Sequence, residues 1–236
     1  MKSDVAQEFF LRAAMKRFEC RAILFDLDGV LVDSTRYIEQ QWRSWALSKG
    51  LSPEPFLRVC HGRRALETLR LAAPELDAEA EIAAFTPDQV SEVADLAAVE
   101  GAAHLLRLLP SGSWAVATSG SRAAATARLN RAGLPEPAVL ICAEDVVRGK
   151  PDPDVYLAAA TRLKVIPSDC IVVEDAPAGI EAARAAGMRV LALTTTHPAS
   201  MLNADAFAPS LTSVHLGRID LGFRDPPWLE LLVVDH

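Results

Sequence analysis

The chain has 236 residues, half of them hydrophobic, and a formal net charge of −7; its isoelectric point is near 5.3. That length and composition provide for a sizeable core, in one large domain or in a core with an insertion. The acidic balance, with mixed signs and no long like-charge block, argues against general nucleic-acid binding, which carries a basic footprint.

Residues 1–17 carry acids and lack the apolar centre of a signal peptide. They read as an N-terminal extension with the pattern of a short amphipathic helix, and Met15 is an alternative start because M-K-R-F-E-C leads directly into an apolar run. No apolar run approaches the roughly 20 residues that a membrane helix needs. The four cysteines, Cys20, Cys60, Cys142 and Cys170, form no C-x-x-C and have no histidines at zinc-finger spacing. Reduced thiols acting as small hydrophobes, in a cytoplasmic protein, are the simplest account.

Short apolar runs rich in branched residues read as buried strands: A-I-L-F (22–25), W-A-V-A-T (114–118), A-V-L-I-C (138–142), C-I-V-V (170–173) and R-V-L-A-L (189–193), with A-F-A at Ala206 as a weak sixth. Helical patterns lie between them at 121–132, 154–163 and 178–186. This alternation implies βαβ units and an α/β fold with a doubly wound, Rossmann-like parallel sheet.

From Ser34 to Val99 the alternation stops, with no convincing strand. Helical segments at 35–49, 64–71, 77–85 and 87–96 predict an all-helical domain inserted between the first two core strands. The expected organisation is a core of 18–33 and 100–236, an insertion of 34–99, and the extension of 1–17. The C-terminal segment from Gly222 holds a turn and a short apolar run without an evident role.

In a doubly wound sheet ligands bind at the carboxyl ends of the strands. Asp26 follows the first run, with Asp28 two residues on. Thr118, Ser119, Gly120 and Ser121 follow the second. R-G-K-P with Lys150 comes after the third, and Glu174 and Asp175 after the fourth. Each has a plain reading: Asp-Gly is a turn dipeptide, Ser and Thr are helix N-caps, and most lysines are solvated. The G-K pair lacks the upstream glycine of a nucleotide P-loop. Two acid pairs, a hydroxyl–glycine turn and a lysine at one rim are less easily explained separately.

Carboxylate oxygens suit Mg²⁺, which keeps several waters, and nothing here suits zinc. A cation, a lysine and helix N–H groups together bind a phosphoryl group. One aspartate can then attack phosphorus while a second acid serves the leaving alkoxide and the incoming water.

F-D-L-D-G-V-L-V-D-S, V-A-T-S-G-S, R-G-K-P-D-P and V-V-E-D-A-P-A-G-I resemble the four motifs of the haloacid dehalogenase-like hydrolases, in order, over about Arg21 to Leu193. The helical insertion looks like the cap of the subfamily whose cap follows the first motif. Sugar phosphatases, and the glycerol-phosphate and deoxyglucose-phosphate phosphatases, are the closest in look.

The resemblance implies that Asp26 is the nucleophile and Asp28 the general acid and base. It implies that Thr118, Ser119, Gly120 and Lys150 hold the phosphoryl group. Mg²⁺ would bind Asp26, Asp175 and the Asp28 carbonyl, with Glu174 supporting it directly or through water. Asp33 reads as a hinge or helix-entry residue beside Ser34. In the cap, His61 and Arg63 of H-G-R-R are candidate substrate contacts or interhelical polar residues, and Trp42 and Trp45 read as cap packing.

The implied activity is a Mg²⁺-dependent phosphatase of small phosphate esters, sugar or polyol phosphates, through an aspartyl-phosphate. The alternative is a sugar phosphomutase of the β-phosphoglucomutase kind, which carries a histidine where Ile38 stands here; a non-catalytic sugar-phosphate sensor is a third. A dehalogenase would lack Asp28. The second cap junction, A-A-V-E-G-A, departs from the proline-containing junction of relatives, which points to a looser hinge. A small-molecule partner, no nucleic acid and no membrane are expected, and a monomer suffices because the cap already covers the site.

Overall fold

In the computed structural model, residues 15–84, 96–220 and 226–234 are described. Strands β1 (Met15–Cys20), β2 (Ala22–Phe25) and β3 (Val32–Asp33) open the chain. Four helices follow: α1 (Thr35–Ser48), α2 (Glu54–Leu57), α3 (Ala65–Ala72) and α4 (Ala78–Ala84). Strand β4 (Ala97–Ala98) returns to α5 (Ala102–Leu108), β5 (Trp114–Ala117), α6 (Arg122–Arg131) and β6 (Leu140–Ile141). The chain then forms α7 (Asp154–Leu163), β7 (Cys170–Glu174), α8 (Pro177–Ala185), β8 (Arg189–Leu193), β9 (Ala206–Ala208), β10 (Val214–Asp220) and β11 (Trp228–Val234).

The main sheet has the order β6-β5-β2-β7-β8-β9, and every pair in it is parallel. Its strands are buried on both faces, which is why they read as continuous apolar runs. Alternate residues go to opposite sides. Ile23, Phe25, Ile171 and Val173 join one cluster with α5 and α6, whereas Ala22, Leu24, Cys170 and Val172 join another with α7 and α8. This is the doubly wound α/β core expected from the sequence. The reversal of direction lies beside β2, so the carboxyl ends of β2, β5 and β7 frame the natural crevice.

A third cluster, built on Trp42, Phe56 and Leu69, belongs to the inserted helices alone. Trp42 stacks on Phe56 at 5.6 Å and meets Trp45 edge-on at 5.8 Å, so the two tryptophans do pack this domain. The helices at 35–49, 64–71 and 77–85 form close to their expected bounds, although Phe85 and nearly all of the fourth segment, 87–96, lie outside the described residues.

Four departures from the sequence reading have local causes. The insertion contains a strand after all: Ala97 and Ala98 pair antiparallel with Asp33 and Val32, so the two linkers run side by side. Two alanines carry almost no strand signal of their own. Leu96 and Val99, assigned to the insertion, pack in the core cluster, and Val99 N–H donates to Leu31 O at 2.9 Å. Met15–Arg17, assigned to the extension, are part of β1. The C-terminal run is β11, the centre of a separate antiparallel sheet, β1-β11-β10. Leu229, Leu231 and Val233 of β11 are buried with Phe18 and Cys20 of β1 against the core. That alternation was masked because Leu232 and Val234 on the other face are apolar too.

All four cysteines are free and buried. Burial pushes the thiols of Cys20, Cys60 and Cys170 up to about 12 and that of Cys142 to about 11, so they serve as packing groups. Among the described residues, no helix is long and apolar enough to cross a membrane.

Candidate active site

Asp26 continues β2 by one residue, and its N–H donates to Val173 O of β7 at 3.0 Å. The sheet thus fixes the backbone that carries the first carboxylate. The loop beyond turns sharply. Leu31 N–H and Val32 N–H both donate to Leu27 O, and Gly29, at φ 82°, donates to Val32 O. A Cβ at Gly29 would be driven into the Asp175 carboxylate, so glycine is required for both conformation and space. This close approach brings the first and fourth motifs together.

The apparently ordinary lysine is the least ordinary residue of the site. Lys150 is fully buried. Its Nζ donates to Asp26 Oδ1 at 2.5 Å, Glu174 Oε1 at 2.7 Å and Ala117 O at 3.3 Å, and lies 4.9 Å from the centre of the Tyr156 ring. Burial by itself would lower the Lys150 pKa, but Asp26 and Glu174 hold it well above its usual value.

Glu174 ends β7. Its Oε1 accepts from Lys150 and from Tyr156 Oη at 2.9 Å, and its Oε2 accepts from the N–H groups of Asp175 and Ala176 at 2.8 and 3.0 Å. These bonds keep it ionised despite burial, chiefly through Lys150. They also fill the carboxylate's acceptor positions. Of the two roles the resemblance allows Glu174, direct ligation or support through water, these four bonds favour the second. Gly179 lies so close that a Cβ there would overlap the Glu174 carboxylate, which accounts for the glycine of A-P-A-G.

Thr118 follows β5 and is buried, and its Oγ1 accepts from Gly120 N–H at 3.0 Å. Ser121 is the N-cap of α6, accepting from Ala124 N–H at 3.3 Å. The capping role and the ligand-facing turn therefore belong to different hydroxyls. Ser119 Oγ donates to Gly62 O of the inserted domain at 2.9 Å. Asp28 is held at both oxygens, by Ser34 Oγ at 2.5 Å and by Arg128 Nη1 at 2.7 Å.

Sequence reasoning missed several contributors. Thr195 Oγ1 donates to Gly29 O at 2.6 Å, Thr196 Oγ1 donates to Asp175 Oδ2, and His197 Nδ1 lies 3.3 Å from Asp175 O. These come from the turn after β8, where three threonines look like any polar loop. Tyr156 and Arg128 sit on helices where an aromatic or a charge is unremarkable.

A cavity of about 420 Å³ opens between the core and the inserted domain, with Asp26, Asp28, Thr118, Ser119, His61 and Arg63 among its lining. His61 Nε2 lies 3.3 Å from Glu39 Oε1, and its ring meets that of His197 at 5.9 Å. Arg63 Nε and Nη1 are buried without a partner. The structure therefore brings every candidate residue from the sequence to this cavity or to the buried cluster beneath it.

The cluster carries too little positive charge. Among the described residues, Asp26, Glu174 and Asp175 are buried beside one buried cation, Lys150. Burial pushes the Asp26 carboxyl up to about 7, with Glu174 and Asp28 adding to the rise and Lys150 opposing it. Burial and then Glu174 and Asp26 hold Asp175 well above the usual carboxylate range. Such a cluster fits a small cation, whose charge would reverse those shifts. Among the described residues, no three His, Cys, Asp or Glu side chains are spaced as a complete cage. The donors on offer are two carboxylates and main-chain oxygen, a set suited to a hard cation that keeps waters.

Comparison with known proteins decides the family. A model described as haloacid dehalogenase-like hydrolase matches residues 20–187. The chain belongs to the haloacid dehalogenase-like hydrolases. Hexitol phosphatase A of Escherichia coli K12 is 43% identical over 202 residues, 84% of this chain and 89% of the relative. Validoxylamine A 7'-phosphate phosphatase of Streptomyces hygroscopicus subsp. limoneus is 40% identical, over 84% of this chain and 98% of its own length. Among solved structures, a hydrolase from Pseudomonas syringae superposes with a TM-score of 0.72 at 25% identity, covering 81% of this chain and 94% of that one. This haloacid dehalogenase-like hydrolase thus shares both core and insertion with enzymes whose names describe phosphate-ester cleavage.

Proposed function

We propose that the protein is a Mg²⁺-dependent phosphatase of small sugar or polyol phosphates, with the inserted helices that start at Thr35 as a cap that closes over a core active site. The observation that carries it is the junction of Asp26, Lys150 and Glu174, a nucleophile held beside a buried ammonium at the end of the central strand. By their names the relatives above are a hexitol phosphatase and a validoxylamine A 7'-phosphate phosphatase, which supports the substrate class.

Mg²⁺ would be held by Asp26, Asp175 and the main-chain oxygen of Asp28, and would supply positive charge for the phosphoryl oxygens and for the ionised form of Asp26. Lys150 holds Asp26 Oδ1, so Oδ2 is the oxygen that attacks phosphorus. Thr118 and the N–H groups of the turn before α6 bind the phosphoryl oxygens. Asp28 gives a proton to the leaving alkoxide as the ester P–O bond breaks, then takes one from the water that cleaves the aspartyl-phosphate. Glu174 positions Lys150, while His61 and Arg63 face the organic part of the substrate.

The mutase alternative loses ground at Ile38. That residue lines the cavity where a mutase carries a histidine, and it offers no hydrogen bond there. The deciding experiment is phosphate release from a panel of sugar and polyol monophosphates, with and without Mg²⁺. Mg²⁺-dependent release that disappears in Asp26→Asn supports the reading. Isomerised sugar phosphate without free phosphate would replace it with a mutase.

A further inference from the structure

Among the described residues of the cavity lining, Arg63 has buried nitrogens that meet no acceptor. Arg128 faces Asp28 and Arg64 faces Glu67. Arg63, between a glycine and a paired arginine in the H-G-R-R loop, turns Nε and Nη1 into buried space where no acceptor meets them. Arg63 is half-buried, and the hydration that Nε and Nη1 lose is replaced by no hydrogen bond, which is costly. Glu67, four residues along, does not neutralise it: Oε1 goes to Arg64 and Oε2 is itself unpartnered.

The loop that presents Arg63 is pinned on both sides. Gly62 O accepts from Ser119 Oγ at 2.9 Å, and a Cβ on Gly62 would fall 2.8 Å from that of Ala176. On the other flank, Arg64 donates to the carbonyls of Val146 and Val147 at 3.5 and 3.2 Å. Arg63 is thus held in place on the cap side of the cavity, while the phosphoryl machinery of Asp26, Thr118 and Lys150 occupies the core side. An unpaired, preorganised guanidinium is matched by a planar or tetrahedral anion better than by a hydroxyl.

We propose that the substrate carries a second anionic group, a carboxylate or a second phosphate, at the end remote from the transferred phosphoryl, and that Arg63 receives it. The inference rests on the phosphatase reading and narrows its substrate class to sugar-acid phosphates and polyol bisphosphates.

The test compares glucitol 6-phosphate, 6-phosphogluconate and glucitol 1,6-bisphosphate, which share a carbon skeleton and differ at the far end. With the full chain and Mg²⁺, kcat/KM favours at least one anionic member over glucitol 6-phosphate by about tenfold or more, the scale of one charge-assisted hydrogen bond. The arm that gains identifies carboxylate or phosphate. Arg63→Gln brings that ratio to near unity through KM, and Arg63→Lys keeps part of it. Equal kcat/KM for all three in the wild type overturns the proposal and leaves the phosphatase standing. So does an Arg63→Gln chain that loses activity equally on all three, as a purely structural arginine would. Should the wild type release no phosphate, the phosphatase reading fails by itself. Calorimetric binding of the three ligands to the Asp26→Asn chain, with and without Arg63→Gln, still decides: tighter anionic binding lost with Arg63 supports the proposal, and equal binding overturns it.

Discussion

Arg128 Nη1 stands 2.7 Å from Asp28 Oδ2, an ion pair between the helix that follows the Thr118–Ser121 turn and the carboxylate proposed for acid–base work. The same Nη1 would lie 3.6 Å from a Cβ on Gly120, so the guanidinium spans the turn and the acid. It also lies 6.0 Å from the centre of the Tyr37 ring on α1 of the cap. With Ser34 on the other oxygen, Asp28 is held in one rotamer by core and cap together. Arg128→Gln is expected to lower kcat by about tenfold to a hundredfold, part of what acid–base catalysis supplies, with KM little changed and Arg128→Lys recovering some of the loss. Steady-state kinetics on the preferred substrate checks it. Unchanged kcat would show that Ser34 alone suffices.

None of this pairing is legible in the sequence. A-T-A-R-L-N-R reads as a solvated helix face, and only the packing of α6 shows that Arg128 points to the cavity. The four motifs were legible for the opposite reason. Three of them lie where an apolar strand stops and a charge or hydroxyl begins, the third follows β6 across a loop, and a parallel sheet carries such ends to one edge. The helix cores were legible from periodicity. The ribbon of Val32–Asp33 with Ala97–Ala98 was not, because its pairing is long-range and only two residues deep. The same holds for β1 with β11, which joins the two ends of the described chain and leaves no trace in either segment alone. Tyr156 and Thr196 escaped because a buried hydroxyl looks like packing or turn chemistry until its partner is known.

Removing the charge of Glu174 tests the buried network. In Glu174→Gln, an amide must replace a carboxylate whose oxygens accept four hydrogen bonds, two of them from main-chain N–H groups. An amide nitrogen facing donors leaves them unpaired, and Lys150 keeps only Asp26 as counter-charge. Breaking one partner of a buried pair costs about 3–5 kcal/mol. The expected result is a clear fall in denaturant midpoint together with loss of turnover. Gly179→Ala should resemble it, since the new Cβ would displace the same carboxylate. Wild-type stability in either variant would count against the network.

The pH dependence of stability follows from the raised carboxyls. Asp26 moves from 3.8 to about 7 on folding, so between those values the folded state binds more protons than the unfolded state. Stability gained from protonated Asp26 is fully present below about pH 4 and is lost as pH rises through about 7. Asp175 shifts in the same direction. Glu174 shifts the other way and contributes above its usual pKa, so it opposes the trend only at the acid end. Without divalent cation, the melting temperature is expected to fall from pH 5 to pH 8. Added Mg²⁺ should restore it most at the alkaline end, where both carboxylates are charged, by mass action on the folded state. Scanning calorimetry across pH with Mg²⁺ or a chelator is the check, and a slope indifferent to Mg²⁺ would mean that the cluster does not take up the cation.

Closure of the cap has its own signature at Arg64. The guanidinium leaves α3 of the cap, is steadied by Glu67 at 2.7 Å and reaches the carbonyls of Val146 and Val147 just ahead of R-G-K-P. Gly149 makes room for it, because a Cβ there would meet Arg64 Nε at 2.5 Å. The arginine therefore ties the cap to the loop after β6 that delivers Lys150. Arg64→Ala removes the hydrogen bonds from the inserted helices to Val146 and Val147, which the proposed closure over the core requires. Each is worth about 1 kcal/mol net, rising toward 3 for a charged donor. The closed population falls accordingly, while the Asp26–Lys150–Glu174 junction in the core is untouched. KM should rise by about tenfold, with a smaller loss of kcat and nearly unchanged global stability. Hydrogen exchange should quicken in residues 35–84 and at Val146–Val147 while the main sheet stays protected. Faster exchange in the sheet as well would instead make Arg64 a residue of the fold rather than of closure.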